Sequence, residues 1–202
     1  TLSLKAKELI LEHLKDKSAM AIGPGLTTDP ETVALVGELL PLIKCPLVID
    51  ADALNAISTH KNWLDILNPE TVLTPHPKEM SRLMGLATQK IQKNRIATAS
   101  QFAADHSLTL VLKGSPSLIA MADGTVIINP TGNAGMATGG SGDVLTGIIA
   151  GLMAQGLPQA SIAGSYIHGQ AGDYFAKNES ETTLIAGDLL RSLPETLKRI
   201  LP

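Results

Sequence analysis

Short apolar runs alternate along the chain with longer segments that repeat apolar residues at helical spacing. Four short runs each end at turn-forming or polar residues, which is typical of buried strands. They lie in the segments SAMAIGPGL, PLVIDADALNAI, TVLTPHPKEM and LTLVLKG. In the second segment the strand is predicted at Leu47–Ile49, with Asp50 and Asp52 at its carboxyl end.

Helical spacing predicts six helices before, between and after these runs. One of them has a clear start signal, because Asp29 precedes Pro30 and Glu31 and proline is favoured in the first turn of a helix. The predicted helices span residues 2–14, 28–40, 89–106, 143–155, 159–178 and 187–200.

The segment SLIAMADGTVIINP has two apolar runs on either side of Asp123-Gly124, which predicts a β-hairpin. Strands that alternate with helices indicate a mostly parallel sheet covered on both faces. The predicted fold class is therefore α/β, with the hairpin at the sheet edge. A chain of 202 residues without a linker or an internal repeat is expected to form one domain over residues 1–202.

Polar or turn-forming residues follow directly after each of the four predicted strands. They are Gly23-Pro24-Gly25, the pair Asp50 and Asp52, His76 and Lys113. Ligands of open α/β sheets bind outside the carboxyl ends of the strands. We therefore expect these four clusters to converge on one site, with at most one of the two aspartates facing the ligand.

A glycine-rich loop with five glycines between Gly132 and Gly142 runs directly into Asp143 and an apolar helix. The loop matches neither GxxxxGK[ST] nor GxGxxG. Glycines allow backbone N–H groups to approach an anion, and the start of a helix is partly positive. Gly140, Ser141 and Gly142 could thus hold phosphate oxygens, whereas a flexible connector is the alternative.

Asp143, His76 and Lys113 each have two interpretations. Asp143 is either a helix cap or a base that takes a proton from a substrate hydroxyl. His76 between two prolines is either structural or functional, and Lys113 either neutralises phosphate or is an exposed lysine at a turn.

Composition narrows the function classes. The net charge of -3, an aromatic content of 2% and the lack of a basic patch argue against a nucleic-acid surface. No apolar stretch is long enough to span a bilayer, and the charged amphipathic N-terminal residues are not expected to form a signal peptide. The single cysteine, Cys45, fits a reducing cytosol, and its position just before a strand favours a buried structural thiol over a catalytic one. Histidine spacing does not match a zinc site, and the serines lack a nucleophile elbow.

Several motifs together carry a family resemblance. GGSGD before an apolar helix resembles the GxGD signature of the ribokinase-like superfamily. The order of AIGPGL, PLVIDADALNAI, TVLTPHPKEMSRLMG, LVLKGS and NPTGNAGMATGGSGDVLTGIIAGLMAQG resembles the ADP-dependent NAD(P)H-hydrate dehydratases over nearly the whole chain. The resemblance implies a ribokinase-like three-layer fold and a repair reaction. In it the S form of NAD(P)HX, the hydrated cofactor, returns to NAD(P)H while ADP, with Mg²⁺, yields AMP and phosphate.

The resemblance also implies roles for individual residues. Asp143 is the expected catalytic base and, with Gly25 and His76, contacts NAD(P)HX. Glu79 is the acid expected to help organise Mg²⁺, and Asn133 is expected to shape the pocket. The residues expected to bind ADP or AMP are Lys113, Gly114, Ser115, Pro116, Ser117 and Gly142.

Family members normally begin with a further strand-and-helix section before the position of Thr1, and we expect this N-terminal section to be missing from the chain. The resemblance further implies a homo-oligomer, such as a tetramer. From the composition we expect a cytoplasmic protein with no membrane or nucleic-acid partner. Two alternatives stay open. One is an ATP-dependent small-molecule kinase of the same superfamily, acting for example on a hydroxymethylpyrimidine or thiazole alcohol. The other is a fragment that binds nucleotide without turnover.

Overall fold

A six-stranded sheet forms the centre of the computed structural model, which describes residues 1–200 apart from the Lys61 side chain. The strands follow one another in space in the order of the chain. The first four are parallel and the last two form an antiparallel hairpin. The strands are β1 (Met20–Ile22), β2 (Leu47–Ile49), β3 (Thr71–Leu73), β4 (Thr109–Leu112), β5 (Leu118–Ala120) and β6 (Val126–Ile128).

Helices connect the parallel strands and follow the hairpin. The α-helices of the described residues are α1 (Lys7–Leu14), α2 (Pro30–Leu39), α3 (Ala51–Thr59), α4 (Pro77–Met84), α5 (Thr88–Lys93), α6 (Arg95–Asp105), α7 (Ser141–Ala154), α8 (Ala160–Asn178) and α9 (Ala186–Ile200). Short 3-10 segments lie at Leu4–Ala6, Leu40–Leu42, Lys61–Ile66, Ala134–Met136 and Glu181–Thr183.

Helices cover both faces of the sheet. Successive side chains of each strand point to opposite faces, so neighbouring residues of one strand belong to different core clusters. Leu47 and Ile49 of β2 belong to the larger core cluster, which contains residues of α2 to α6 and against which Cys45 packs. Val48 of the same strand packs in a second cluster with Leu145 of α7. A third cluster joins α7, α8 and α9. The predicted three-layer α/β architecture and the edge hairpin are confirmed.

Two features of the helical layer differ from the sequence predictions. Helices α3 and α4 are additional to the predicted helices, because each begins directly after polar residues that the sequence pattern assigns only to strand ends. The helix predicted over residues 89–106 is broken at Asn94, whose backbone angles φ -134° and ψ 42° are not helical. Periodicity did not reveal the break, because both α5 and α6 turn apolar residues toward the same core.

None of the helices in the described part of the chain combines the length and the apolar character needed to cross a membrane.

Candidate functional site

A buried ion pair lies at the carboxyl ends of the parallel strands. Asp50, the residue after β2, accepts a hydrogen bond of 2.7 Å from Nζ of Lys113, the residue after β4. Its other carboxylate oxygen accepts a hydrogen bond of 2.8 Å from Oγ1 of Thr146 in α7. Only 1% of the Asp50 side chain is exposed, and 19% of that of Lys113. The arrangement therefore ties two strand ends to α7.

Glycine is required where the chain leaves β1. Gly23 has a φ of +135°, and a Cβ at this position would overlap the carbonyl oxygen of Asp50. L-residues rarely adopt positive φ, and no side chain fits against a backbone at this distance. The glycine thus lets the ends of β1 and β2 come into contact beside the ion pair.

The glycine-rich loop leads into the first turn of α7, which lies beside the ion pair. Gly140, in the left-handed conformation at φ 82°, caps the helix. The N–H groups of Gly142 and Asp143 have no backbone acceptor among the described residues. A Cβ built on Gly142 would lie 3.2 Å from Nζ of Lys113. Two free N–H donors and an ammonium group therefore lie side by side, as expected of a phosphate site.

Asp143 lies in the first turn of α7 and is exposed. It borders a groove of about 420 Å³ that continues along β1. Apolar residues of α2 and the Gly23-Pro24 turn form much of the groove wall. The carboxylate is thus accessible to a molecule in the groove and close to the free N–H groups.

His76 and Glu79 form the start of α4. Nδ1 of His76 accepts hydrogen bonds from the N–H groups of Lys78 and Glu79 at 3.1 and 3.2 Å. In return, the Glu79 carboxylate accepts a 2.7 Å hydrogen bond from the N–H of His76. This reciprocal cap leaves 46% of the His76 side chain exposed at the site. The Lys113 ammonium lies 3.9 Å from Glu79, so the cap borders the ion pair.

The segment that follows β4 does not face the site along its whole length. Lys113 points to α7, whereas Pro116 lines a groove on the opposite face of the sheet together with Arg95 of α6. Gly114 packs on the Arg95 guanidinium, from which a Cβ would lie 2.5 Å away. Ser117 donates a hydrogen bond to the carbonyl of Gly114 and closes the turn. Ser115 is exposed.

Arg95 of α6 binds the backbone at the start of this turn. Its guanidinium donates hydrogen bonds of 3.3 and 3.4 Å to the carbonyl oxygens of Leu112 and Lys113. Its Nε is buried and has no partner among the described residues. Burial lowers the pKa of Arg95. The carbonyl groups on both sides of the Lys113 backbone are thus fixed by one cation.

His168 of α8 supports the first turn of α7. Its Nε2 donates a 2.9 Å hydrogen bond to the carbonyl of Ser141. Burial lowers the pKa of His168 to about 4, and the nearby charge of Lys113 acts in the same direction, while the hydrogen bond to Ser141 opposes the shift. The imidazole is therefore neutral near pH 7 and adds no charge to the site.

The remaining predicted residues lie around this centre. Gly25 is exposed in the turn after β1, with a φ of 72°. Asn133 bonds to the N–H of Gly135 and to Asp173 of α8, and so shapes the glycine-rich loop. The carboxylate of Asp52 turns away to accept a hydrogen bond from the N–H of Thr27.

Sequence reasoning missed three supporting residues. Thr146 is a polar residue on the sheet-facing side of an apolar helix, and this signal could have been read from the periodicity. The partners of His168 and Arg95 are distant in the sequence, and no local pattern marks them.

Among the described residues, no group of three or more histidine, cysteine, aspartate or glutamate side chains could hold a metal ion by itself. The site does combine free N–H groups, one ammonium and one accessible carboxylate. This set can bind a polyphosphate and accept a proton from a neighbouring hydroxyl.

Comparison with known proteins identifies the family. The sequence matches the profile described as NAD(P)H-hydrate dehydratase over residues 2–195. The chain belongs to the NAD(P)H-hydrate dehydratase family. A bifunctional NAD(P)H-hydrate repair enzyme of Moorella thermoacetica is 51% identical over 201 residues, which cover 98% of this chain. The chain spans only 38% of that relative's length.

Solved structures agree with the family assignment. An ADP/ATP-dependent NAD(P)H-hydrate dehydratase from Bacillus subtilis, co-crystallised with ATP and Mg²⁺ and soaked with CoA, is 35% identical with a TM-score of 0.80. The match covers 92% of this chain and 68% of that one. A ribokinase-like superfamily protein of Enterococcus faecalis is 30% identical with a TM-score of 0.82, covering 98% and 69%. The predicted ribokinase-like fold of this dehydratase family member is confirmed.

Proposed function

We propose that the protein takes part in the ADP-dependent dehydration of the S form of NAD(P)HX to NAD(P)H, with release of AMP and phosphate. The observation that carries the proposal is the placement of Asp143 next to the free N–H of Gly142 and the ammonium of Lys113. A proton acceptor beside a phosphate site is what phosphoryl transfer to a hydroxyl requires.

The first step transfers a phosphoryl group. The Asp143 carboxylate takes the proton of the ring hydroxyl of NAD(P)HX, and the hydroxyl oxygen forms a bond to the β-phosphorus of ADP. The bond between that phosphorus and the bridging oxygen breaks, and AMP leaves with the electron pair. The N–H of Gly142 and the ammonium of Lys113 stabilise the negative charge that spreads over the phosphoryl oxygens.

The second step removes phosphate. The ring carbon–oxygen bond breaks, and the phosphate leaves with the bonding electrons. The adjacent ring carbon loses a proton, and its electrons complete the double bond of the reduced nicotinamide. The sum is the loss of one hydroxyl and one hydrogen from the ring, with ADP consumed as AMP and phosphate.

The proposed binding residues divide between the two substrates. The groove beside Asp143, with Gly25 and the exposed edge of His76, is proposed to hold NAD(P)HX. ADP is assigned to Gly142 and the segment from Lys113 to Ser117, of which Lys113 alone points at α7. The groove is large and apolar enough to enclose a ring.

Magnesium fits this site only as a partner of the nucleotide. Mg²⁺ keeps several waters and binds substrate phosphates with one or two carboxylates of the protein. Glu79 is the carboxylate proposed for it, since Glu79 lies at the edge of the ion pair, 3.9 Å from the Lys113 ammonium. When bound, the ion would neutralise phosphate charge and thereby assist phosphoryl transfer.

The experiment is replacement of Asp143 by Asn, with hydrated NADPH and ADP as substrates and the absorbance of the reduced nicotinamide as readout. We expect D143N to lose about 10²–10⁴-fold in turnover while calorimetry still detects ADP binding. Asp188→Asn is the control for an aspartate in the first turn of a helix, since Asp188 lies at the start of α9, where it accepts a hydrogen bond from the N–H of Ile185 and pairs with Arg191. Equal losses of stability with unchanged turnover in both variants would make Asp143 a helix cap only.

The wild-type assay tests the reaction itself. If neither ADP nor ATP restores the reduced nicotinamide, the dehydratase proposal is wrong. Phosphorylation of a hydroxymethylpyrimidine or thiazole alcohol by ATP would instead support the small-molecule kinase, and ADP binding without either reaction would indicate a nucleotide-binding fragment.

The proposal also includes the domain organisation, the oligomeric state and the cellular compartment of the protein. We propose that residues 1–202 unfold as one domain, that the protein forms a homo-oligomer such as a tetramer, and that it works in the cytoplasm. A single calorimetric transition, the mass from light scattering and cell fractionation test these points in turn.

A further inference from the structure

Asp50 occupies the centre of the site although the reaction scheme gives it no role. Its carboxylate is buried and binds two groups, Nζ of Lys113 at 2.7 Å and Oγ1 of Thr146 at 2.8 Å. Its backbone carbonyl touches Gly23. A buried carboxylate is costly unless its partners satisfy it, and here each oxygen has one partner. The Asp50 carboxylate is therefore fixed by two hydrogen bonds, one from Lys113 and one from Thr146 of α7.

Lys113 has a second carboxylate within reach. Glu79 lies 3.9 Å from Nζ of Lys113, compared with 2.7 Å for Asp50. Lysine is a compact point charge on a flexible chain, so its partners decide where the charge is located. With Asp50 in place, the ammonium lies against Gly142 at the start of α7. Without the Asp50 charge, the nearest remaining anionic partner draws it toward α4.

We propose that Asp50 is a positioning residue of the nucleotide site, which holds the ammonium of Lys113 beneath the first turn of α7 and sets its distance to the transferred phosphoryl group. This inference rests on the proposed function. The bond from Thr146 to Asp50 fixes the same carboxylate from the helix side. These two bonds thereby fix the ends of β2 and β4 relative to the first turns of α7, where the phosphoryl group is transferred.

A positioning role has a signature that a structural role lacks. In Asp50→Asn the ammonium stays in the site but loses its fixed location, so the cation still attracts ADP while the transition state loses its alignment. Small misplacements of this kind cost about 10²-fold in rate. We therefore expect kcat to fall by about 10- to 100-fold, while the Kd of ADP changes less than about threefold. In Lys113→Met, which removes the cation, both quantities worsen.

Threonine 146 offers a milder version of the same test. Thr146→Val removes the hydroxyl that fixes Asp50 and keeps the shape of the side chain, and Thr146→Ser restores the hydroxyl. Thr196→Val is the matched control, because Thr196 is also a helical threonine, 2% exposed like Thr146, and bonds only to its own helix. We expect kcat to fall in T146V, to recover in T146S and to stay unchanged in T196V, with melting temperatures measured for all three.

These outcomes decide the inference. Equal kcat values for D50N and wild type, or parallel losses of kcat and ADP affinity in a folded D50N, would overturn it. If D50N does not fold, T146V decides alone, and a kcat equal to that of T196V would overturn the inference.

A readout without turnover separates this inference from the dehydratase proposal. The ³¹P resonance of the β-phosphate of bound ADP reports the position of the nearby ammonium. It should shift in D50N and T146V relative to wild type and stay in place in T196V. An unshifted resonance in D50N contradicts the role of Asp50. A shifted resonance in a protein that never restores NAD(P)H supports that role and refutes only the dehydration reaction.

Discussion

Acid should destabilise the protein through one histidine. His168 is neutral in the folded state because burial lowers its pKa to about 4, whereas an unfolded histidine has a pKa of about 6.5. The unfolded chain therefore binds the proton first as the pH falls. The stabilisation is fully present above about pH 6.5 and is lost progressively down to about pH 4.

The size of the effect follows from the difference between the two pKa values. Each unit of pKa difference corresponds to about 1.4 kcal/mol. The free energy of unfolding should thus fall by about 1.4 kcal/mol at pH 5.5 and by about 3 kcal/mol at pH 4 from this group alone. Such a loss is a large part of the stability of an ordinary domain, which is about 5–15 kcal/mol.

The measurement compares wild type with His168→Gln in urea unfolding followed by circular dichroism between pH 8 and pH 4. Glutamine can still donate a hydrogen bond to the Ser141 carbonyl but does not titrate. We expect the two proteins to differ increasingly below about pH 6.5, with wild type losing more stability. His13→Gln serves as the control, since His13 is exposed. If wild type and H168Q lose stability in parallel over this range, the assignment of a buried neutral His168 is wrong.

Three further substitutions test separate parts of the site. Gly23→Ala should destabilise the fold by more than about 3 kcal/mol, because it combines a positive φ with overlap on a backbone carbonyl; Gly25→Ala, with open space around its Cβ, should cost only about 1–2 kcal/mol in the same thermal melts. Gly142→Ala should leave the melting temperature unchanged or raised, since alanine favours helix, yet weaken ADP binding in calorimetry by crowding Nζ of Lys113; unchanged ADP affinity would contradict the proposed phosphate site. Arg95→Met should lower stability by about 1–3 kcal/mol by leaving two carbonyl groups unpaired and raise the KM for ADP more than it lowers kcat; a stability loss with unchanged KM would limit Arg95 to a structural role.

Much of the architecture could be predicted because the signals are local. The apolar run at Leu47–Ile49 matches β2 residue for residue, and the turn at Asp123-Gly124 marks the hairpin, where Gly124 has a φ of 84°. The break at Asn94 is different, since a change in backbone angles at one residue leaves the apolar periodicity intact. Local patterns thus predict elements better than their interruptions.

The centre of the site was predicted from topology. Because parallel strands end at one edge of the sheet, Asp50, His76 and Lys113 could be expected near one another. Which side chains touch could not be predicted, since that depends on how α7 packs on the sheet. The bond from Thr146 to Asp50 is a consequence of that packing. Pro116 lies on the other face, beside Arg95 of α6.

The bonds to Asp50 also bear on how the protein acquires its activity during folding. They join residues 63 and 96 positions apart in the chain, so each closes a long loop whose entropy must be overcome before the bond forms. Helices and the hairpin, which depend on neighbours in sequence, can form earlier. In a refolding experiment the helical signal should therefore recover before nucleotide binding does, and a partly folded chain should be rich in helix yet unable to hold a phosphate group.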